Sequence, residues 1–335
     1  MFGSAGRSLS CPLICLLLSF LIWTSGSFSQ TSINDIHITP RGTADELSRG
    51  PHLPSGIGVI RSDVDLVTVP VTITDNFNRP VIGLDQDNFQ LFENKKPQEI
   101  RHFSNEDTPV SIGLIVDMSG SMADKVERTK EAIRKFCEEA NPQDEFFMIT
   151  FADAPHLVTD FTNETEQLQN SLLTTPARGR TSLLDAIYMG LRKMQDARYS
   201  RRALLILSDG GDNHSRYNEH DVKSVVKESD VLLYAVGTYD RYVNTQEEML
   251  GPELLQSVTE VTGGKAYTLT NIADLPGVTR AIGVQLRHQY VLAYRPQSRP
   301  KGGKWYKISV RLRFPKRLHM FLRVDARPGY YAAAE

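Results

Sequence analysis

The sequence predicts an α/β fold in which a doubly wound, mostly parallel sheet is inserted into a flanking β-sandwich. Three observations lead there. Between residues 110 and 269, short apolar runs alternate with amphipathic helical patterns, the arrangement of parallel strands with helices on both faces. On either side of this stretch the periodicity drops to two, as in half-buried antiparallel strands. Each flank offers about three such strands and would leave an apolar face bare, whereas both together close a sandwich.

The elements follow in order. At the N-terminus Arg7 precedes an apolar stretch over 11–23, and the small polar residues Thr24-Ser-Gly-Ser follow. A positive region, a short apolar core and a small-residue exit form a secretory signal, so residues 1–29 are read as a signal peptide. The apolar run is too short for a comfortable membrane span; an uncleaved anchor is the alternative. The expected location is secreted, periplasmic or cell-surface, with no stable membrane span after cleavage. Residues 30–58 are rich in Ser, Pro, Gly and charge and are read as a disordered leader. The first sandwich part covers 59–107. Val67, Val69, Val71 and Ile73 alternate with Thr68, Thr72 and Thr74, and Phe89 and Leu91 lead into a hairpin turn at Glu93-Asn-Lys-Lys-Pro97. Ile100 and Phe103 begin a third strand.

The α/β domain is placed at 108–286. Strands are predicted at 110–116, 146–151, 157–161 (a short edge), 203–207, 231–236 and 266–269, and helices at 122–140, 183–194, 221–227, 254–261 and 275–288. The second sandwich part covers 287–335: Tyr290, Leu292 and Tyr294 alternate, then Tyr306, Ile308, Val310, Leu312 and Phe314, then Met320, Leu322 and Val324.

Composition sets bounds. The formal net charge of −2 argues for neither nucleic acid nor an anionic membrane. Residues 286–330 carry twelve Lys and Arg against the single Asp325, and 61–107 is net acidic. Opposite charge favours pairing of the two flanks; binding of a polyanion by 286–330 is the lesser reading, because alternation puts Lys307, Arg311 and Arg313 on a solvated strand face. Of the three cysteines, Cys11 and Cys15 would leave with the signal. Cys137 then remains alone, so no intramolecular disulfide forms, and its place on the apolar side of a helix makes it a buried, inert thiol.

The chemistry concentrates at strand ends. The apolar run 110–116 is followed by Asp117-Met-Ser119-Gly-Ser121, with oxygen side chains at i, i+2 and i+4. Hard divalent cations take such ligands. Thr181 opens a later helix, and Asp209 closes the apolar run 204–207. Open α/β sheets bind ligands at the carboxyl ends of their strands, where Asp117 and Asp209 fall. Each residue also has a plainer reading: Ser121 with Asp124 fits a helix capping box, Ser182 with Asp185 fits another, and Asp209-Gly210 is an ordinary turn dipeptide. These readings leave Asp117 and Ser119 unexplained.

Asp117, Ser119, Ser121, Thr181 and Asp209 resemble the five-residue metal-ion-dependent adhesion site of the von Willebrand factor type A family, over about residues 109–285. The flanking strands and the ending Pro328-Gly-Tyr-Tyr331 resemble exported bacterial proteins of the acidobacterial type. The resemblance implies a Rossmann-like domain holding Mg²⁺ (or Mn²⁺ or Ca²⁺) with those five side chains, one or both carboxylates acting through water. The open coordination position then takes an Asp or Glu of a protein ligand. The expected function is therefore metal-dependent protein binding or adhesion, without catalysis. The alternatives are a Mg²⁺-dependent hydrolase, with His214 beside Asp212 as the base, and a scaffold whose metal only stiffens loops. Walker, HExxH, GxSxG and CxxC motifs are absent from the sequence. Helix 275–288 is a candidate for carrying movement from the site to the sandwich.

Overall fold

The computed structural model describes residues 66–173, 175–209, 211–239, 246–297, 302–313 and 321–332. The expected signal peptide and leader lie outside these residues, as do Phe314 and Met320. Four strands precede the α/β part: β1 (Val67–Thr74), β2 (Phe89–Glu93), β3 (Lys96–Gln98) and β4 (Ile100–Ser104). Asn94 and Lys95 join β2 to β3 with φ of 47° and 69°, the double positive φ that a tight type I′ hairpin requires.

The central part runs β5 (Ser111–Asp117), α1 (Val126–Glu138), β6 (Glu145–Phe151), β7 (Pro155–Thr162), α2 (Thr165–Leu173), α3 (Leu183–Lys193) and β8 (Arg202–Ser208). It continues through α4 (Glu219–Glu228), β9 (Leu232–Thr238), α5 (Gln246–Glu260), β10 (Lys265–Leu269) and α6 (Leu275–Arg287). Strands β11 (Tyr290–Tyr294), β12 (Trp305–Leu312), β13 (Arg323–Ala326) and β14 (Gly329–Tyr331) follow.

The central sheet is ordered β10-β9-β8-β5-β6-β7. All its pairings are parallel except β6 with β7, which is antiparallel. Side-chain alternation along β5 sends Ile112, Leu114 and Val116 to one face, where they pack with α1, α2 and α6, and Ile115 to the other, beneath α3, α4 and α5. Burial on both faces is why β5 and β8 read as continuous apolar runs. Cys137 of α1 is buried in the first of these cores, and burial pushes its thiol up to about 12.

The flanks interleave within the same sheets. One sheet is ordered β13-β1-β11-β4 and the other β14-β12-β2-β3, with every pairing antiparallel. Val69, Val71, Ile73 and Leu292 from the first meet Phe89, Leu91 and Ile308 from the second in one core. Burial of apolar surface from both flanks holds this sandwich together.

Several expectations change. Helix α2 and strands β3, β13 and β14 sharpen or add to the sequence pattern; α2 was not foreseen, although Leu168 and Leu172, spaced one turn apart, supply its buried side. Helix α1 begins at Val126, not 122, because Gly120–Met122 forms a 3₁₀ turn and Gly120 N–H donates outward to Gly179 O. Helix α5 begins well before 254 and runs through Pro252; packing of Leu255 and Val258 outweighs the Gly251-Pro252 break signal. Charge joins the flanks at Arg287, which pairs with Asp107, but among the described residues it does not cross-link the paired strands. The basic C-terminal segment sends Arg287 to Asp107 and Asp144, Arg327 to Asp230, and Arg323 to its neighbour Asp325. None of these pairs crosses the β1–β11 or β2–β12 strand pairings.

Candidate metal centre

Chain order fixes where a ligand site can form. From β5 the chain moves to β6 on one side, then returns to place β8 on the other. The sheet therefore switches direction between β5 and β8, and open α/β sheets have their crevice at such a point. Val116 is in register with Leu207, so Asp117 ends β5 beside the end of β8, where Asp209 follows.

Both acids are buried, Asp117 at 0% and Asp209 at 4% relative exposure. Asp117 Oδ1 accepts Ser119 N–H at 2.9 Å, and Oδ2 accepts the Ser208 hydroxyl at 2.5 Å. Loss of water and the negative charge of Asp209 push the Asp117 carboxyl up to about 6, against the pull of these two donors. Asp209 accepts no hydrogen bond from any described residue, and neither acid is paired with a described lysine or arginine. Two carboxylates close enough to feel each other thus share a dry site without a described cation, an arrangement that costs free energy unless positive charge arrives.

The loops that carry the three hydroxyls are tied to one another. Ser119 Oγ lies 3.0 Å from Ser121 Oγ; Ser119 is buried and Ser121 exposed. The loop that carries Thr181 is fastened to the Asp117–Ser121 loop on both sides of Ser119: Arg178 N–H donates to Met118 O at 2.8 Å, and Gly120 N–H to Gly179 O at 3.1 Å. Gly179 has φ +94°, and a Cβ there would meet the Asp153 carboxylate at 2.8 Å, so only glycine suits this crossing. The loop after Asp209 is tied in turn. Asn213 Oδ1 accepts Thr181 N–H at 3.0 Å, and Thr181 O accepts the amides of Asn213 and His214 at 3.1 Å. The Thr181 hydroxyl, 5% exposed, makes no hydrogen bond among the described residues. Three loops from three places in the sequence are thereby interlocked around one rim.

The donor set suits a hard divalent cation. It is all oxygen, carries two negative charges, and leaves the Asp209 carboxylate and the Thr181 hydroxyl without a hydrogen-bond partner among the described residues. Among the described residues no group of three or more His, Cys, Asp or Glu could hold a metal; a set of two acids and three hydroxyls is a different kind of site.

The plainer readings of these residues fare differently. Ser121 caps no helix: the residue before α1 is Lys125, without a side-chain cap. Ser182 does not cap α3 with its side chain either. Its hydroxyl donates to Ala152 O at 2.8 Å. The start of α3 is capped from the third loop instead, by Asp212 Oδ2 on Leu184 N–H at 2.8 Å and Ser215 Oγ on Asp185 N–H at 3.1 Å. Asp212 also takes the amides of His214 and Ser215 and the Ser215 hydroxyl. It is a staple between loops and does not orient the His214 ring.

Ser208 and Asn213 were missed as parts of the site. For Ser208 the signal was a polar residue closing the apolar strand 203–207; for Asn213, whose partner Thr181 is far away in sequence, there was none.

Comparison with known proteins bears on the same stretch. Residues 112–211 match the family model of the von Willebrand factor type A domain. Human inter-alpha-trypsin inhibitor heavy chain H4 is 24% identical over 134 residues, which is 36% of this chain and 14% of that protein. A UPF0353 protein of Mycolicibacterium paratuberculosis is 21% identical over 223 residues, 59% of this chain and 66% of its own. The chain thus spans about a seventh of the human relative and just under two thirds of the mycobacterial one. Among solved structures, a von Willebrand factor type A protein from Catenulispora acidiphila is 11% identical, with 82% of this chain and 75% of that one covered at a TM-score of 0.48. Domains of this family are typically metal-dependent adhesion or protein-interaction modules.

Proposed function

Because the chain carries a von Willebrand factor type A domain over residues 112–211, we propose that it is a metal-dependent protein-binding module of an exported protein. Asp117, Ser119, Ser121, Thr181 and Asp209 would hold the ion, Mg²⁺ in the first place and Mn²⁺ or Ca²⁺ as alternatives. The observation that carries this reading is the pair of buried acids, Asp117 and Asp209, that no described cation neutralises.

With three neutral hydroxyls and two acids, the bound ion retains attraction for a carboxylate from outside. The ligand is thus an Asp or Glu on a partner protein, and a desolvated ionic contact of that kind makes a binding hot spot. Hydrogen bonds between the loops that carry the five residues support this reading, since loops ordered beforehand leave little ordering cost on binding. Met118 N–H on Phe151 O at 2.8 Å and Ser182 N–H on Ala152 O at 2.9 Å anchor two of these loops to the end of β6.

Catalysis is disfavoured because Asp212 is committed to four hydrogen bonds within the rim, leaving His214 without the orienting acid that a general base needs. The polyanion reading of 286–330 loses support in the same way. Arg287, Arg323 and Arg327 are paired with acids, and Arg311 lies over the Phe92 ring. Export rests on the sequence pattern of 1–29; among the described residues no helix is long and apolar enough to cross a membrane.

The test is a calorimetric titration of the chain with MgCl₂, MnCl₂ and CaCl₂, and its capture on resin bearing an Asp-containing peptide. Binding heat and capture are expected for the wild type with metal, and neither for Asp117→Ala or in EDTA. Equal capture of both forms with metal and with EDTA would refute the proposal.

A further inference from the structure

We infer that the ligand carries a second acidic residue two positions from the metal-bound one, and that Arg178 receives it. This rests on the metal-dependent reading above and names the ligand's chemistry.

Three arginines stand on the loops outside the five donors. Arg178 and Arg180 stand either side of Gly179, whose carbonyl is bonded to Gly120, and Arg216 stands on the third loop. Two of the three arginines are already engaged. Arg180 lies 3.6 Å from Asp153 Oδ1 through Nε, and its amide donates to the same carboxylate. Arg216 Nε lies 3.1 Å from Asp185 Oδ2. Arg178 is exposed, and among the described residues no carboxylate pairs with its guanidinium. Asp124, another exposed acid of these loops, forms no ion pair with a described residue.

Position makes Arg178 relevant to the metal ligand. Its amide donates to Met118 O, so its backbone sits against the residue next to Ser119. An extended peptide places the side chains of residues i and i+2 on one face, about 7 Å apart. That span lies within reach of an arginine side chain rooted beside Met118. A guanidinium takes a carboxylate through two parallel N–H donors, and arginines reading acidic motifs are a recurring mode of peptide recognition. A metal alone accepts any accessible carboxylate; the pair of contacts would select an Asp-x-Asp or Glu-x-Asp pattern.

The test compares two immobilised peptides in the presence of Mg²⁺, one with Asp-Gly-Asp and one with Asp-Gly-Asn, against the wild-type chain, Arg178→Ala and Arg178→Glu. The side chain at 178 makes no described contact, so both variants should fold. The wild type is expected to bind the diacidic peptide about tenfold more tightly, the gain of one charge-assisted pair. Arg178→Ala should bring the ratio to about one, and Arg178→Glu should reverse it, with both variants still binding Mg²⁺ at least as tightly as the wild type because a repelling positive charge is removed. A wild-type ratio of one, with binding still Mg²⁺-dependent, would overturn this inference and leave the metal reading standing. Mg²⁺-independent retention, or no retention of either peptide, would overturn both.

Discussion

Asp117→Asn should make the metal-free protein more stable while abolishing its response to metal. The carboxyl of Asp117 is moved from 3.8 to about 6 by burial and by Asp209. At 1.36 kcal/mol per pH unit this corresponds to about 3 kcal/mol of destabilisation once the group is ionised in the fold. The folded state holds the proton more tightly than the unfolded chain does. Stability from this group is therefore complete below pH 3.8 and is lost as pH rises through about 6. Asparagine has the same shape and no charge. Its oxygen can still accept Ser119 N–H, and the Ser208 hydroxyl can turn to accept from its amide. Loss of charge assistance in these two bonds offsets about 1 kcal/mol, leaving a net gain of about 2 kcal/mol at pH 7.5.

The assay is urea unfolding in EDTA at pH 5 and pH 7.5, repeated with Mg²⁺. In EDTA, the gain from Asp117→Asn over wild type should be larger at pH 7.5 than at pH 5. Mg²⁺ should stabilise the wild type by mass action and leave Asp117→Asn unmoved. A variant less stable than wild type at pH 7.5 in EDTA would refute the claim that the two acids destabilise the fold when metal is withheld.

Two further outcomes concern the frame around the site. Asp212→Ala removes the cap on Leu184 and the staple to Ser215, so urea unfolding should show a loss of about 1–3 kcal/mol. Because the same loop positions Thr181 through Asn213, Mg²⁺ affinity measured by calorimetry should fall about tenfold or more. Gly264 precedes β10 with its missing Cβ 1.8 Å from Leu233 O. Since this neighbour is backbone and cannot rotate away, Gly264→Ala should cost about 3 kcal/mol, read as a lower urea midpoint with Mg²⁺ binding retained.

Much of the fold was legible because its signals are local. Strands buried on both faces must be apolar throughout, as 110–116 and 203–207 are, and the alternation of Val67, Val69, Val71 and Ile73 follows from one buried face. Helix starts were less legible. A capping box can be read from two residues of one chain segment, yet α3 takes its caps from Asp212 and Ser215, on another loop. The 3₁₀ turn at Gly120–Met122 likewise depends on a partner, Gly179, that local pattern does not reveal.

The same division holds for the site. Residue types, spacing and strand context marked Asp117, Ser119, Ser121 and Asp209 as oxygen donors at strand ends, because those types are the hard ligands and sheet ends are where side chains escape the core; the resemblance to the von Willebrand factor type A family joined Thr181 to them as one set. What tertiary structure decided is that Asp117 and Asp209 are buried neighbours, that Ser208 braces Asp117 and Asn213 braces Thr181, and that Asp212 serves as a staple. Strand order and loop-to-loop hydrogen bonds determine these relations, and both depend on contacts between residues far apart in the chain.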